Sequence, residues 1–159
     1  RRIVVKAPAE LPYLIMGYPS VDLYRHQAAE LGVADRVVFT GRVAYEHLPR
    51  WLGLGDIAVA PKLSATEGCG KILNYMAMAL PTVAFATPVS CEYLGECGIY
   101  AYERTGEALA QALATALELP DRGATLGQRL RQRAVQHFTW TQAGAMLEAV
   151  YDKVIHQYS

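Results

Sequence analysis

Short apolar runs alternate with longer amphipathic segments along this chain, and the alternation constrains the fold more than any other feature. The runs are apolar at consecutive positions, which is typical of strands buried on both faces. Parallel neighbours need a crossover connection, so this order predicts an α/β fold, a Rossmann-like doubly wound parallel sheet of about five strands flanked by helices. The predicted strands are 13–17, 36–41, 56–61, 81–86 and 98–102.

Helical patterns fill the intervals between these strands and continue after the last one. No internal repeat or linker interrupts the pattern, so residues 1–159 are predicted to form a single domain. RRIVVKAPAE, at the start, resembles the end of a helix broken by prolines rather than a first strand. We therefore expect a fragment of a longer protein, with an earlier strand missing. The predicted helices are about 20–31, 45–53, 70–79, 89–95, 105–118, 121–136 and 140–156.

The composition excludes several classes of protein. Fifteen basic residues balance fifteen acidic ones, so nothing favours a nucleic-acid partner. No apolar run reaches the ~20 residues that a membrane span requires. Three cysteines without zinc spacing, and four histidines without close pairing, predict no metal site and a cytoplasmic protein with reduced thiols.

The stretch SATEGCGKILNYMA (64–77) combines a polar glycine-containing loop with the start of a helix. The helix N-terminus carries backbone N–H groups without intrahelical partners and a partial positive charge. Gly68 and Gly70 leave that backbone accessible, and Lys71 and Asn74 lie on the face that leans toward it. This combination suits a phosphate or diphosphate. The other face carries an apolar stripe that should pack on the sheet, namely Ile72, Leu73, Met76, Ala77 and Leu80.

Glu67 requires a different ligand group, because a carboxylate repels phosphate. It is suited to accept hydrogen bonds from hydroxyls, and a ligand with both hydroxyls and phosphates is a nucleotide sugar. An internal ion pair that turned Glu67 away from the helix N-terminus would argue against this hypothesis. The alternative is structural: Gly68 and Gly70 shape a turn, Glu67 caps the helix and Lys71 is solvated. The spacing of a P-loop, GxxxxGK(S/T), is absent.

Three segments together carry a resemblance to a known family. They resemble the C-terminal, donor-binding domain of retaining glycosyltransferases of the GT-B fold, family 4, also called glycosyl transferases group 1. The similarity extends over nearly the whole chain. The segments are VVFTGRV (37–43), GDIAVAPKLSATEGCGKILNYMAMALPTVAF (55–85) and HFTWTQAGAMLEAVYDKV (137–154).

The resemblance implies a role for each matching residue around the donor. Gly41, Arg42 and Val43 would offer backbone groups to the base. Glu67, the residue assigned to catalysis, would bind hydroxyls of the donor sugar. The backbone around Gly68, Cys69 and Gly70 would hold the distal phosphate.

Two lysines and one asparagine complete the expected donor site. Lys62 and Lys71 are candidates for phosphate contacts, with Lys71 preferred because it lies in the first helical turn. Asn74 occupies the position of the family glutamate that grips the ribose. An amide can still bond a ribose hydroxyl but carries no charge, so we expect altered or weaker ribose binding.

Other parts of such an enzyme are expected to lie outside this chain. The resemblance implies that an N-terminal acceptor-binding domain, and a loop carrying an Arg and a Lys for the diphosphate, precede residue 1. It implies a nucleotide-sugar substrate and no cofactor or metal. The alternatives are a non-catalytic nucleotide-sugar-binding or interaction domain, another GT-B enzyme such as a sugar-nucleotide epimerase, and, least favoured, a receiver-type signalling domain.

The C-terminal part is predicted to be structural. RLRQRAVQH (129–137) is basic along one side, which favours a solvated helix face; the alternative is peripheral contact with the inner face of a membrane. Thr139 is the expected N-cap of the last helix. The apolar stripe of that helix should pack against the domain; it comprises Trp140, Met146, Leu147, Val150 and Val154.

Overall fold

The computed structural model of the chain describes residues 11–157, so the interpretation of RRIVVKAPAE lies outside the described residues. Strands and helices alternate as the sequence predicts, with short 3₁₀ turns at 34–36, 45–47, 95–97 and 120–123. The elements are β1 (Tyr13–Met16), α1 (Val21–Glu30), β2 (Val37–Gly41), α2 (Leu48–Leu52), β3 (Ala58–Ala60), α3 (Gly70–Ala77), β4 (Thr82–Phe85), α4 (Pro88–Leu94), β5 (Ile99–Ala101), α5 (Gly106–Glu118), α6 (Ala124–His137) and α7 (Trp140–Gln157).

All the strand pairs within 11–157 are parallel, which confirms the predicted fold class. The strands form two hydrogen-bonded pieces rather than one continuous sheet. β1 pairs with β2 in the smaller piece, and β3, β4 and β5 form the larger piece in that order. The expectation of one five-stranded sheet is therefore met in strand number and direction but not in continuity.

The core lies on both faces of the larger piece. Every residue of β4 is buried, as expected of a central parallel strand. One face carries a cluster from α3, α4 and α6 that includes Ile72, Leu94 and Leu130. The other face carries α5, whose Leu109 and Leu113 pack against Val83 and Phe85. Helices on both faces are what a doubly wound arrangement requires.

α3 and α6 approach each other at a glycine. A Cβ on Gly127 would lie 1.9 Å from the carbonyl oxygen of Ala79, so only glycine fits there. Arg131 of α6 donates a 2.7 Å hydrogen bond to the Ala77 carbonyl at the end of α3. The C-terminal end of α3 is thus fixed against α6, and its N-terminal end points toward the loop that follows β3.

The apolar stripe of the last helix is exposed, so its predicted packing against the domain is wrong for the described residues. Trp140 is 93% exposed, and no residue of α7 is buried. Thr139 is the N-cap that the sequence predicts, because its hydroxyl accepts a hydrogen bond from the Gln142 N–H. Among residues 11–157, no helix is long and apolar enough to cross a membrane.

Asp121 organises the start of α6. Its carboxylate accepts hydrogen bonds from the Gly123 N–H at 3.1 Å, the Thr125 N–H at 3.0 Å and the Thr125 hydroxyl at 2.6 Å. The hydrogen bonds from Thr125, foremost that of its hydroxyl, hold the pKa of Asp121 below its usual value of 3.8. The ionised carboxylate therefore stabilises the folded state at neutral pH.

This arrangement predicts a pH-dependent effect of Asp121→Asn. Because the folded-state pKa is lowered, the stabilisation is present above the unfolded-state pKa and is lost as pH falls through the folded-state pKa. The melting temperature of the variant should be lower than that of the parent at pH 7. The gap should shrink as the pH is lowered below about 4, in thermal unfolding followed by circular dichroism. A gap independent of pH would show that the charge of Asp121 contributes nothing.

Candidate functional site

The candidate site lies where the chain leaves β3 and enters α3. The helix begins at Gly70, and the residue before it, Cys69, is buried and provides no side-chain cap. The Ile72 N–H bonds the Cys69 carbonyl at 2.8 Å. The N–H groups of Gly70 and Lys71 precede the first turn's hydrogen bonds and are the donors that a helix N-terminus leaves for a ligand. The helix dipole adds a partial positive charge at the same point.

Neither torsion nor packing requires glycine at this helix start. The φ angles of Gly68 and Gly70 lie outside the left-handed region. A Cβ on Gly70 would meet no atom within 4 Å, and one on Gly68 would make only an ordinary 3.4 Å contact with the Tyr93 hydroxyl. The opening above Gly70 is therefore not filled by the protein's own side chains, and the glycines give access to the backbone.

Lys62 links the end of β3 to the loop ahead of α3. Its ammonium group lies 3.0 Å from a carboxylate oxygen of Glu67 and donates a 3.0 Å hydrogen bond to the Gly68 carbonyl. The Glu67 N–H in turn donates to the Ser64 hydroxyl. These contacts fix the loop that carries the two glycines.

The Lys62–Glu67 contact bears on two of the predicted roles. Glu67 is not free in this structure, and Lys62 is not directed to an open phosphate position. The carboxylate is nevertheless 74% exposed, while the Lys62 side chain is 28% exposed, and an ion pair whose carboxylate is reached by water contributes on the order of 1 kcal/mol. Its partner, Lys62, is itself one of the residues predicted for the site. The contact therefore holds Glu67 close to the helix start by an interaction that a bound ligand can replace.

Lys71 and Asn74 follow on α3 itself. Lys71 is exposed and lies in the first turn, while Asn74 is half-buried one turn later. The same helix buries Ile72 and Met76 completely. The predicted division into a buried apolar face and a polar face is correct, except that Ala77, assigned to the apolar stripe, is exposed.

The residues predicted to meet a base lie on the smaller sheet piece. Gly41, at the end of β2, has a φ of +70°, which favours glycine, and its carbonyl accepts a hydrogen bond from the Gly17 N–H at 3.1 Å. The guanidinium carbon of Arg42 lies 4.9 Å from the centroid of the Tyr18 ring, and Val43 is half-buried. The described contacts thus join this group to the end of β1 and not to the loop 62–70.

Two tyrosines near these groups are absent from the sequence prediction. Tyr18 stacks with Arg42. The sequence places Tyr18 directly after the predicted strand 13–17, and the loops that follow strands of α/β sheets carry ligands, so its position could have indicated a role in the site. Tyr93, on α4, approaches Gly68 through tertiary packing alone, and the sequence carries no signal for that approach.

Acidic, cysteine and histidine side chains do not assemble into a metal site in the described part of the chain, where no three of them lie close enough to hold an ion. Burial raises the pKa of the Tyr75 hydroxyl behind Cys69, so that group remains neutral at physiological pH. The site offers a ligand backbone N–H groups, two lysines, one amide and one carboxylate.

Both the sequence and the structure are similar to those of known proteins. The profile of the glycosyl transferases group 1 family matches residues 2–119. The chain is 28% identical over 142 residues to a GDP-mannose-dependent alpha-(1-6)-phosphatidylinositol monomannoside mannosyltransferase of Mycolicibacterium smegmatis, covering 84% of this chain and 37% of that protein. It is 31% identical over 131 residues to the MMP alpha-(1->4)-mannosyltransferase of Mycolicibacterium hassiacum, covering 80% of this chain and 31% of that one.

Solved structures agree with this assignment at the level of the fold. Anabaena Alr3699/HepE, in complex with UDP and glucose, superimposes with a TM-score of 0.81 at 20% identity, over 94% of this chain and 43% of that chain. The C-terminal domain of a glycosyl transferase group 1 family protein from Francisella tularensis superimposes with a TM-score of 0.64 at 15% identity, over 86% of this chain and 97% of that domain. The chain spans about a third of the length of the two mannosyltransferases.

The weakness of the Lys62–Glu67 pair is testable by a double-mutant cycle. The variants are Lys62→Met, Glu67→Gln and their combination, and urea unfolding gives the free energy of each. We expect a coupling energy below about 1 kcal/mol. The matched control is the exposed pair Asp22–Arg25 on α1, with a 3.1 Å contact, tested through Asp22→Asn and Arg25→Met. A coupling of several kcal/mol at 62–67 alone would mean that Glu67 is locked and not available to a ligand.

Proposed function

The chain belongs to the glycosyl transferases group 1 family, and we propose that it is the donor-binding part of a glycosyltransferase that uses a nucleotide-diphosphate sugar. The whole protein would transfer the glycosyl group from that donor to an acceptor. This chain would bind the donor and stabilise the leaving diphosphate.

The observation that carries the proposal is the unfilled, uncapped start of α3. Neither backbone torsion nor packing requires glycine at positions 68 and 70. The exposed residues Gly70 and Lys71 place their N–H groups at the positive end of a helix. A diphosphate is the ligand group that uses these features together. The structural alternative, in which the two glycines only shape a turn, does not explain why residue 70 is a glycine.

Each of the remaining residues is proposed to contact a different part of the donor. Lys71 contacts the diphosphate from the first turn, and Asn74 bonds the ribose through its amide. Glu67 accepts hydrogen bonds from sugar hydroxyls once the ligand displaces Lys62. Lys62, released from Glu67, then adds a positive charge beside the phosphates.

The base is proposed to lie against the smaller sheet piece. Backbone groups of Arg42 and Val43 would contact it, next to the ring of Tyr18. The Gly41 carbonyl accepts from the Gly17 N–H, and this contact fixes the loop that carries the other two residues.

In the proposed reaction the bond between the anomeric carbon and the diphosphate oxygen breaks, and a bond from the acceptor hydroxyl oxygen to the same carbon forms. The proton of that hydroxyl passes to the leaving diphosphate. The negative charge that develops on the leaving diphosphate falls on the N–H groups at the start of α3 and on the lysines. Such preorganised donors lower the barrier because they need no reorganisation during the reaction. Glu67 contributes by fixing the sugar in position. Retention of configuration is proposed from the family resemblance.

The acceptor-binding part is proposed to lie outside this chain, since the chain covers only about a third of the length of its relatives.

Membrane contact through 129–137 is not included in the proposal. Arg133 donates to the Tyr93 and Glu92 carbonyls, and Arg131 donates to that of Ala77. Two of the three arginines of that segment are therefore engaged within the fold. The free thiols of Cys69, Cys91 and Cys97 suit the cytoplasm, which is the proposed location.

One observation favours a second candidate, a nucleotide-sugar-binding domain without catalytic activity. Asn74 replaces the charged residue that the family uses for the ribose, and an uncharged amide holds a hydroxyl less strongly. Binding of a donor without turnover by the complete protein would select this candidate.

The proposal is tested by Gly70→Ala in this chain, with UDP, GDP and ADP as probes. Alanine is the better helix former, so the melting temperature should stay the same or rise. The added methyl group should obstruct the N–H groups and reduce the affinity for the nucleotide that binds the parent by about tenfold or more, a loss of at least ~1.4 kcal/mol. Isothermal titration calorimetry measures the affinity.

Gly144→Ala is the matched control, because Gly144 lies in α7 with open space around its Cβ position. It should leave affinity unchanged. The proposal fails if Gly70→Ala binds as tightly as the parent, or if none of the three nucleotides binds the parent at all.

A further inference from the structure

Tyr93 approaches the glycine loop ahead of α3 from a different element of the fold. The residue lies on α4, and its hydroxyl oxygen is 3.4 Å from the position that a Cβ on Gly68 would occupy. In the sequence Gly68 separates Glu67, which is proposed to bind the sugar, from Gly70, where the helix begins. The Tyr93 hydroxyl therefore lies beside the junction between the proposed sugar-binding and diphosphate-binding groups.

The ring of Tyr93 is held in place by packing. It makes an edge contact with the ring of Phe138, with the two centroids 5.4 Å apart and an interplanar angle of 78°. It also packs against the apolar cluster that contains Cys69 and Ile72. Arg133 donates a 2.8 Å hydrogen bond to the Tyr93 carbonyl. The position of the hydroxyl is thus set before any ligand binds.

The hydroxyl of Tyr93 is not used by the fold. Within residues 11–157 it has no hydrogen-bond partner, and the Tyr13 hydroxyl is the one buried side-chain polar atom without a partner in that range, so the Tyr93 hydroxyl is open to solvent. The hydroxyl of Tyr100, by contrast, donates a 2.7 Å hydrogen bond to the Gly95 carbonyl. Phenylalanine would supply the same ring packing at position 93, so packing alone does not explain the hydroxyl.

Glycine at position 68 keeps this hydroxyl accessible. A Cβ at Gly68 would contact the Tyr93 oxygen at 3.4 Å, and any longer side chain would extend into the space beside it. Since backbone torsion does not require glycine there, access to the Tyr93 hydroxyl is a reason for this residue, as access to backbone N–H groups is a reason for Gly70.

We propose that the Tyr93 hydroxyl forms a hydrogen bond with a hydroxyl of the donor sugar and that Tyr93 helps to determine which sugar is accepted. This inference rests on the proposed function of the site. A phenolic hydroxyl both donates and accepts, which matches the two capacities of a sugar hydroxyl, whereas the Glu67 carboxylate only accepts. The diphosphate already has the N–H groups of Gly70 and Lys71 as donors.

A fixed hydroxyl in this place discriminates between sugars by the direction of one hydroxyl group. Because Phe138 and the apolar cluster hold the ring, the Tyr93 hydroxyl does not follow a sugar hydroxyl that points elsewhere. A site that hydrogen-bonds a hydroxyl rejects an analogue without it, since the polar group of the site is then left unpaired. The sugar that fits must therefore direct one hydroxyl toward α4.

Tyr93→Phe tests this role, because the variant keeps the ring and removes only the hydroxyl. Isothermal titration calorimetry of this chain gives the affinities for UDP, GDP and ADP and for UDP-glucose, GDP-mannose and ADP-glucose. The affinity for the nucleoside diphosphate should stay unchanged, and that for its nucleotide sugar should fall about three- to tenfold, the loss of one hydrogen bond. The melting temperature should not change. Tyr102→Phe, at an 81% exposed residue after β5, is the matched control and should alter neither affinity.

An equal loss of affinity for the nucleoside diphosphate and its nucleotide sugar would overturn the inference, because the hydroxyl would then bind the phosphates or support the fold. Unchanged affinity for both would also overturn it, while leaving the proposed function of the site intact. A parent chain that binds the diphosphate but none of the sugars would do the same. Silence of the parent toward all six compounds would instead contradict the proposed function, and this inference with it.

Deoxy derivatives of the bound nucleotide sugar identify the hydroxyl concerned. The parent should bind one of the derivatives less tightly than the complete sugar, and Tyr93→Phe should bind the two equally. Discrimination at positions bound by Glu67 should persist in the variant. If the variant retained the parent's discrimination at every position of the sugar, Tyr93 would have no part in recognising it.

Discussion

The burial of α3 against the larger sheet piece is the constraint on which the rest of the site depends. Ile72 and Met76 are fully buried in the cluster that contains Ala60 and Ala84, and each such side chain contributes roughly 1.5–3 kcal/mol. Arg131 and Gly127 fix the other end of the helix. The N-terminal end of α3 is therefore held in place at the end of β3. The N–H groups of Gly70 and Lys71 are in position before any ligand binds.

Local patterns were sufficient to predict the elements and the local geometry at the start of α3. Consecutive apolar residues predicted β4, which is buried at every position. The periodicity of Ile72 and Met76 predicted the buried face of α3, and the glycines before it predicted an open helix start. These inferences succeeded because each depends on residues close in sequence. The resemblance to group 1 glycosyl transferases is also confirmed, because that family's profile matches most of the chain.

Interactions between distant segments could not be predicted in the same way. The division of the strands into two sheet pieces depends on which strands meet, and apolar runs carry no information about their neighbours. The approach of Tyr93 to Gly68 results from the packing of α4, and the sequence gives no sign that Lys62 bonds Glu67. The sequence of α7 has clear helical periodicity, but periodicity does not identify the packing partner of a helix, and the apolar face of α7 is exposed in this structure.

The central claim is that the start of α3 receives a diphosphate while Glu67 receives the sugar. The most direct measurement is amide chemical-shift mapping of this chain with inorganic pyrophosphate, with nucleoside diphosphates and with the matching nucleotide sugars. The account predicts that pyrophosphate and every bound nucleotide shift Gly70 and Lys71, and that only the nucleotide sugars add a large shift at Glu67. Binding that left Gly70 and Lys71 unshifted would contradict it.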